Sequence, residues 1–220
     1  MTENKKIILI LGEPSSGKTS SLRNMPLEET VYIDIDRKSI KSFRDMDKFN
    51  QWIKLDYVDH LIPGLEALEK DDECKYIVID TLSFLMDLYV AQKVDTAADT
   101  RSAWSDYKKF YKEIINFAKT SSKSFIFLSH TKTSYNEMEM ESKTQAYVQG
   151  SLLGKLEADF AVVVYTRKYL NEDGIPKFGF SVNVTKETLH TSVRTPFGMF
   201  NEPTLDDNDI MDIFKAIEEY

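Results

Sequence analysis

Short apolar runs alternate with longer polar or amphipathic stretches as far as residue 130 of the chain. Four of these runs have the length of buried strands. They are KIILIL (6–11), TVYIDID (30–36), KYIVID (75–80) and SFIFLS (124–129). Because strands that are apolar on both faces occur where helices cover both sides of a sheet, the pattern predicts an α/β fold with a mainly parallel sheet. WIKLD (52–56) predicts a further short strand.

The stretches between these runs favour helices. We predict helical sequence directly after residues 12–19, polar helical sequence after the second strand, and helices over 58–70, 83–93 and 102–120. The aromatic residues of the last helix recur near helical spacing, so we interpret them as core rather than as contacts to a cofactor.

The final third of the chain is predicted to be rich in β-structure. Residues 131–157 are polar and predict a loop or a short helix, whereas 159–170 and 178–187 predict an antiparallel hairpin. Residues 206–220 predict an acidic amphipathic helix. Since neither a repeat nor a linker interrupts the pattern, we expect a single domain over 1–220.

Composition excludes several classes of protein. Apolar residues make up 42% of the chain and charged residues 29%, which excludes an intrinsically disordered chain. No apolar run has the length of a membrane helix or a signal peptide, so we expect a cytoplasmic protein without a membrane partner. One cysteine and three distant histidines favour neither an internal disulfide nor a zinc site. The net charge of −8 argues against broad adhesion to nucleic acid but leaves a local basic groove open.

The strongest motif follows the first predicted strand and matches G-x-x-x-x-G-K-[ST], the P-loop. We predict that its backbone amides surround phosphate oxygens, that Lys18 reaches the β and γ phosphates, and that the Thr19 hydroxyl binds Mg²⁺. The predicted cofactor-binding residues are Gly12, Glu13, Pro14, Ser15, Ser16, Gly17, Lys18, Thr19 and Ser20. The motif therefore predicts a nucleotide site.

Three carboxylates lie at the ends of predicted strands. Asp80 ends KYIVID, where a carboxylate holds Mg²⁺ in P-loop proteins, although it could equally cap a helix or turn. Asp34 and Asp36 end the second strand, at the edge where open α/β sheets place ligands. Asp36 is the better placed to orient an attacking water; a salt bridge or a cap is the alternative.

His130 directly follows the fourth strand, so we expect it beside the γ-phosphate as a polar sensor, with a purely structural histidine as the alternative. Residues 131–150 then predict a mobile contact surface or an ordinary surface loop; they include Tyr135, Met138, Met140 and Tyr147. Seven basic and two acidic residues between 101 and 132 indicate either a surface for a nucleic-acid backbone or a solvated helix face.

Together these motifs resemble the RecA-type branch of the P-loop ATPases. The loop GEPSSGKTS is similar to the bacterial RecA loop GPESSGKTT, and the D-x-D of Asp34 and Asp36 is similar to the D-x-E that ends the second RecA strand. His130 corresponds to the polar sensor, and 131–150 to the mobile DNA-binding loop. The chain is most similar, over about residues 6–200, to short phage ATP-binding proteins with a minimal RecA core, several of which are annealing or recombination proteins.

The resemblance implies a RecA-like P-loop NTPase fold with helices on both faces of the sheet. It implies an ATP- and Mg²⁺-dependent ATPase of DNA recombination that binds single-stranded DNA and promotes annealing or strand pairing, in the host cytoplasm if the chain is phage-encoded. The implied catalytic residues are Lys18, Asp36 and His130, and the implied metal ligands are Thr19 and Asp80. Aspartate in place of glutamate at position 36 predicts weak hydrolysis, because small misplacements slow chemistry.

The resemblance also implies partners. A homo-oligomer and a recombination or single-strand-binding protein are expected. Lys186 or Arg194 would reach the γ-phosphate of a neighbouring subunit, with two ordinary surface charges as the alternative. Because five residues precede the first strand, we expect no long filament. Two alternatives stay open: a small-molecule or nucleotide kinase, and a non-hydrolysing, nucleotide-dependent interaction module that docks a partner through 206–220.

Overall fold

A computed structural model describes residues 6–37, 40–137 and 140–220. Its described residues form a nine-stranded sheet in the order β3-β2-β4-β5-β1-β7-β8-β9, with β6 paired to β5 beside it. The strands are β1 (Ile7–Gly12), β2 (Thr30–Asp34), β3 (Gln51–Lys54), β4 (Tyr76–Asp80), β5 (Ser124–Asn136), β6 (Glu141–Ala146), β7 (Val162–Leu170), β8 (Pro176–Ser181) and β9 (Thr204–Leu205). Neighbours from β3 through β7 are parallel, whereas β8 and β9 are antiparallel. The predicted mainly parallel α/β sheet is confirmed, and so is the late hairpin, although its second strand ends at Ser181 and not at residue 187.

Helices cover both faces of this sheet. They are α1 (Leu61–Glu69), α2 (Leu82–Tyr89), α3 (Thr100–Thr120) and α4 (Ile210–Glu219). Along β1, Leu9 and Leu11 face the cluster that contains α1, α2 and α3, while Ile8 and Ile10 face the cluster that contains α4. This alternation is the reason that the strands are apolar at every position, as the continuous runs predicted.

Polar side chains mark where three of these helices begin. The Thr81 hydroxyl accepts a hydrogen bond from the amide of Phe84 at 3.3 Å, and Asp99 and Asp209 cap α3 and α4 in the same manner. Such caps satisfy amides that have no partner inside the helix. A π-helical turn, Val90–Val94, extends α2 to the end predicted from sequence. In the part of the chain that the structure describes, no helix is long and apolar enough to cross a membrane.

The helices predicted after the P-loop and after β2 were wrong. The P-loop runs into a single 3₁₀ turn, Thr19–Leu22, in which the hydroxyls of Ser20 and Ser21 donate to backbone carbonyls of the preceding turn. Serines that bond locally to the backbone compete with a regular helix. Among the described residues 40–50, the helical structure is a 3₁₀ turn at Met46–Lys48.

The loop or short helix predicted over 131–157 was also wrong for its first half. Strand β5 continues past the sheet edge to Asn136 and pairs in antiparallel fashion with β6, so that both strands form a hairpin. Threonine and tyrosine at alternate positions, Thr131, Thr133 and Tyr135, favour an extended strand, a signal that the polarity of the segment concealed. Met138 lies outside the described residues.

Candidate active site

Strand ends that are far apart in sequence meet at one edge of the sheet. Gly12 at the end of β1 is the register partner of His130 in β5, and Asp34 at the end of β2 is the partner of Asp80 in β4. A cavity of about 690 Å³ opens above this edge, and Lys18, Asp80 and His130 line it. Parallel pairing produces this convergence, because all carboxyl ends of parallel strands point to the same edge.

The amino group of Lys18 lies at the centre of the P-loop. Its Nζ donates to the carbonyl oxygens of Gly12 and Glu13, both at 2.8 Å, and lies 3.2 Å from Nδ1 of His130. The Lys18 side chain is buried, although it is charged. A phosphate that enters the loop would meet this ammonium group between the loop and His130 of β5, as the motif predicts.

The two glycines of the motif are required by close approaches. A Cβ atom at Gly12 would lie 1.9 Å from Oγ1 of Thr166, and one at Gly17 would lie 2.6 Å from Nδ2 of Asn208. Gly17 also has φ of +94°, and Ser15 has φ of +60°, so the loop backbone turns through left-handed conformations that gather amides on one side. The backbone therefore fits a phosphate group.

A hydroxyl and a carboxylate stand together where Mg²⁺ is predicted. Thr19 Oγ1 donates to Oδ2 of Asp80 at 2.7 Å, and the Tyr32 hydroxyl donates to the same oxygen at 2.6 Å. Burial, followed by the charge of Asp80, raises the pKa of Tyr32 well above its ordinary value, so Tyr32 remains a donor that orients the carboxylate. Hard oxygen donors of this kind suit Mg²⁺. Within the described ranges, no group of three or more His, Cys, Asp or Glu side chains could hold a metal ion.

The two aspartates of the D-x-D motif have different surroundings. Asp34 is fully buried and accepts hydrogen bonds from the Arg37 amide at 2.8 Å and from the Trp52 indole at 3.1 Å. Asp36 lies on the cavity wall, where it accepts a hydrogen bond from the Thr81 hydroxyl at 3.2 Å. Asp36 is therefore the aspartate of this motif at the cavity, and Asp34 stabilises the end of β2.

His130 stands at the base of the β5–β6 hairpin. Its amide donates to the Ser83 hydroxyl at 3.0 Å, and its carbonyl accepts from the amide of Tyr147 at 2.7 Å. The imidazole contacts the ring of Phe84 edge-on, with 5.3 Å between the ring centroids. His130 thus belongs both to the cavity wall and to a strand that leaves the cavity.

The family model of the AAA domain matches residues 4–195 of the chain. The chain is a member of the AAA domain family. The matched residues include the P-loop, Asp36, Asp80 and His130 and end before α4. No curated protein matches the chain significantly. Membership supports a P-loop ATPase-type domain that binds a nucleotide, typically with Mg²⁺.

The final third of this AAA domain protein contributes site residues that no motif marks. The Asn208 side chain donates to the carbonyl oxygen of Gly17 at 2.7 Å and accepts from the Arg23 guanidinium at 3.1 Å. Phe178 of β8 lines the cavity beside Gly17. Tyr32 was missed for a related reason, because one tyrosine in an apolar strand is indistinguishable from core.

Several basic residues that were predicted to contact nucleic acid or a neighbouring subunit have other partners in the structure. Lys112 and Lys119 of α3 pair with Asp159 at 2.8 and 3.5 Å, and Lys123 is buried and donates to a backbone carbonyl at 2.7 Å. The Arg194 guanidinium donates to carbonyl oxygens of its own chain, those of Glu157 and Phe160. Lys186 is exposed, and neither it nor Arg194 lines the cavity.

Proposed function

We propose that this AAA domain protein binds ATP with Mg²⁺ in the cavity above the P-loop and hydrolyses it. One observation carries the proposal: Lys18 and Thr19 of the P-loop line the same cavity as Asp36, Asp80 and His130, which come from three other segments of the chain. This group contains the phosphate-binding, metal-binding and water-orienting side chains that phosphoryl transfer requires. Bound Mg²⁺ would neutralise the charge that develops on the phosphate oxygens.

The contacts suggest a division of work. Lys18 would exchange the carbonyls of Gly12 and Glu13 for phosphate oxygens, while Thr19 and Asp80 hold the metal ion. Asp36, which is half-buried in the cavity wall, would orient water and accept its proton.

Hydrolysis of ATP by Lys18→Ala tests the proposal. We expect turnover to fall by more than about 100-fold, because removal of a preorganised charged group from phosphoryl transfer costs at least that much. Lys215→Ala is the matched control, since Lys215 is an exposed lysine of α4. Equal turnover of both variants would refute the assignment of the P-loop.

Asp36→Asn separates binding from chemistry. The amide keeps the size of the carboxylate but accepts no proton, so we expect turnover to fall by about 100-fold with little change in the affinity for ATP. Asp47→Asn, at an exposed position, is the control. Unchanged turnover of Asp36→Asn would mean that another group orients the water.

As the finer function we propose action on single-stranded DNA in recombination, with annealing or strand pairing as the outcome. The observation that favours it is the β5–β6 hairpin, which begins at His130 and carries exposed Lys132, Tyr135 and Lys143. Nζ of Lys132 lies 5.9 Å from the ring of Tyr147. Interleaved aromatic and basic groups suit a single strand, whose bases stack and whose phosphates seek cations.

ATP hydrolysis with and without single-stranded DNA tests this finer function. We expect stimulation by DNA and its loss in Tyr135→Ala, because base stacking on one aromatic residue contributes about 1–3 kcal/mol. Annealing of complementary oligonucleotides is the second readout. Without stimulation, transfer of the γ-phosphate to a nucleoside would identify a kinase, and ATP binding without turnover would identify a nucleotide-dependent interaction module.

A further inference from the structure

The turn that follows the P-loop is short, and the backbone carbonyl at its start accepts an additional hydrogen bond from a distant part of the chain. The 3₁₀ turn Thr19–Leu22 has four residues and no long helix behind it. The carbonyl oxygen of Gly17 accepts hydrogen bonds from the Ser21 amide at 3.1 Å, from the Ser20 hydroxyl at 3.0 Å and from Nδ2 of Asn208 at 2.7 Å. The donor from Asn208 comes from the opposite end of the chain.

The orientation of the Asn208 amide is determined by its partners. Nδ2 faces a carbonyl oxygen, which can only accept, and Oδ1 faces Nη1 of Arg23 at 3.1 Å, which can only donate. Exchange of the two amide atoms would place like groups against each other. Asn208 is 3% exposed, so water does not compete effectively for these bonds.

Peptide geometry connects this hydrogen bond to the phosphate site. The C=O of Gly17 and the N–H of Lys18 belong to one trans peptide unit and therefore point in opposite directions. Asn208 lines a neighbouring surface cavity and not the candidate site, so it holds the carbonyl on the outer side of the loop. The amide of Lys18 is consequently directed to the inner side, where the P-loop gathers its amides for phosphate.

Asn208 is itself anchored to both the turn and α4. The neighbouring Asp207 accepts both hydrogen bonds that Nη2 of Arg23 donates, each at 2.7 Å, and Asp209 caps α4 and accepts from Asn24 at 2.5 Å. Helix α4 is buried through Ile210, Ile213, Phe214 and Ile217. Residues 207–209 lie beyond the match to the AAA domain at 4–195, so family membership does not account for this contact.

We propose that Asn208 is a positioning residue that directs the amide of Lys18 at the phosphates of a bound nucleotide. The inference rests on the nucleotide binding proposed above. It predicts that Asn208 increases the affinity for a nucleoside diphosphate without contacting the ligand.

The test is the dissociation constant for ADP with Mg²⁺, measured by calorimetry on the full chain well below its melting temperature. We expect Asn208→Ala to weaken binding by about three- to tenfold, the amount that corresponds to one hydrogen bond. The control is Ile115→Val, a conservative core change in α3 on the other face of the sheet. We expect it to lower the melting temperature but to leave the dissociation constant unchanged.

A second variant keeps the test decisive if Asn208→Ala does not fold. Asn208→Asp retains the size and the acceptor for Arg23 but cannot donate to Gly17, and it should weaken binding at least as much. Asn24→Asp is its charge control, because Asn24 lies beside Asp209 and has a different partner. Equal loss in Asn208→Asp and Asn24→Asp would overturn the inference in favour of a charge effect.

Three further outcomes complete the test and separate this inference from the function on which it rests. If the wild type binds ADP, Lys18→Ala does not, and Asn208→Ala binds as the wild type does, the inference alone is overturned. Equal weakening by Asn208→Ala and Ile115→Val overturns it as well, because the effect would then be one of general stability. If the wild type binds no ADP, the proposed function fails and the inference fails with it.

Discussion

The two faces of the sheet are built in different ways. One face is covered by α1, α2 and α3, whose buried side chains form a continuous cluster with alternate residues of the strands. The other face is covered by α4 and by short turns, and the 3₁₀ turn after the P-loop contributes Leu22 to its cluster. The first face is covered mainly by regular helices, whereas the second contains the turn that follows the P-loop.

The difference follows from where backbone groups find their partners. A helix satisfies its own amides and carbonyls along its length, so its side chains need only pack. A four-residue turn contains few such bonds, and side chains supplement them, as Asn208 and Ser20 do at the carbonyl oxygen of Gly17. We call the face covered by α4 and short turns the irregular face, and the face covered by α1, α2 and α3 the helical face. The stability of the irregular face therefore depends on a few specific contacts, and that of the helical face depends on how well its core volume is filled.

The largest effect on stability is expected from Phe127→Ala on the helical face. Phe127 is fully buried, with ring centroids 5.9 Å from Phe125 and 5.4 Å from Phe160. Loss of the ring should lower the free energy of unfolding by about 3–5 kcal/mol, measured by denaturant titration. Phe197→Ala, at a fully exposed position, should change it by less than about 0.5 kcal/mol. A cost below 1 kcal/mol for Phe127→Ala would contradict a core that depends on volume.

On the irregular face, Gly17→Ala should affect both stability and binding. Its Cβ would lie 2.6 Å from Asn208 Nδ2 and 3.0 Å from the ring of Phe178, at a φ of +94°. We expect a loss of about 1–3 kcal/mol in the free energy of unfolding and a loss of affinity for ADP of at least about tenfold, since a displaced loop no longer presents its amides. If Gly17→Ala binds ADP with wild-type affinity, the contact between Gly17 and Asn208 is not required for binding.

A pH-dependent effect is expected at Asp159, which joins α3 to the chain before β7. Burial tends to raise the pKa of Asp159, but hydrogen bonds from Lys112 and Tyr111 outweigh it and hold this pKa below 3.8. A lowered native pKa adds stability above the unfolded value and loses it as the pH falls through the native value. Asp159→Asn should therefore lower the free energy of unfolding by about 1–2 kcal/mol at pH 7 and by progressively less below pH 3.8. Denaturant unfolding at pH 7 and at a pH below 3.8 measures this difference.

Asp106→Asn is the control for this prediction, because Asp106 is half exposed and pairs with Lys109 on the same helix. Its cost should stay below about 0.5 kcal/mol at any pH. If Asp159→Asn lowers the free energy of unfolding equally at pH 7 and in acid, the charge of Asp159 does not contribute to stability.

The smallest effect is a gain from Gly64→Ala in α1. A Cβ at Gly64 meets no atom within 4 Å, and the residue lies inside a helix. Alanine should therefore raise the free energy of unfolding by about 0.5–1 kcal/mol. The same substitution thus has opposite signs at Gly64 and at Gly17, and a loss at Gly64 would contradict the contrast between the faces.

The sequence predicted the parts of the site that carry local patterns. The P-loop was recognisable from its spacing, and Asp36, Asp80 and His130 from their positions after apolar strands, which parallel pairing brings to one edge. Their catalytic and metal-binding roles stay predictions. The helix after the P-loop was predicted in error, because serines that bond to the backbone cannot be distinguished from helical serines by periodicity.

What the sequence by itself determined is the class of the fold and the position of the P-loop motif, because strand periodicity and glycine spacing act over neighbouring residues. The tertiary structure decided which side chains support that loop. Tyr32 reaches Asp80, and Asn208 reaches Gly17, through space rather than along the chain. Contacts between distant segments leave no periodic trace, since they depend on how the sheet and its last helix pack together.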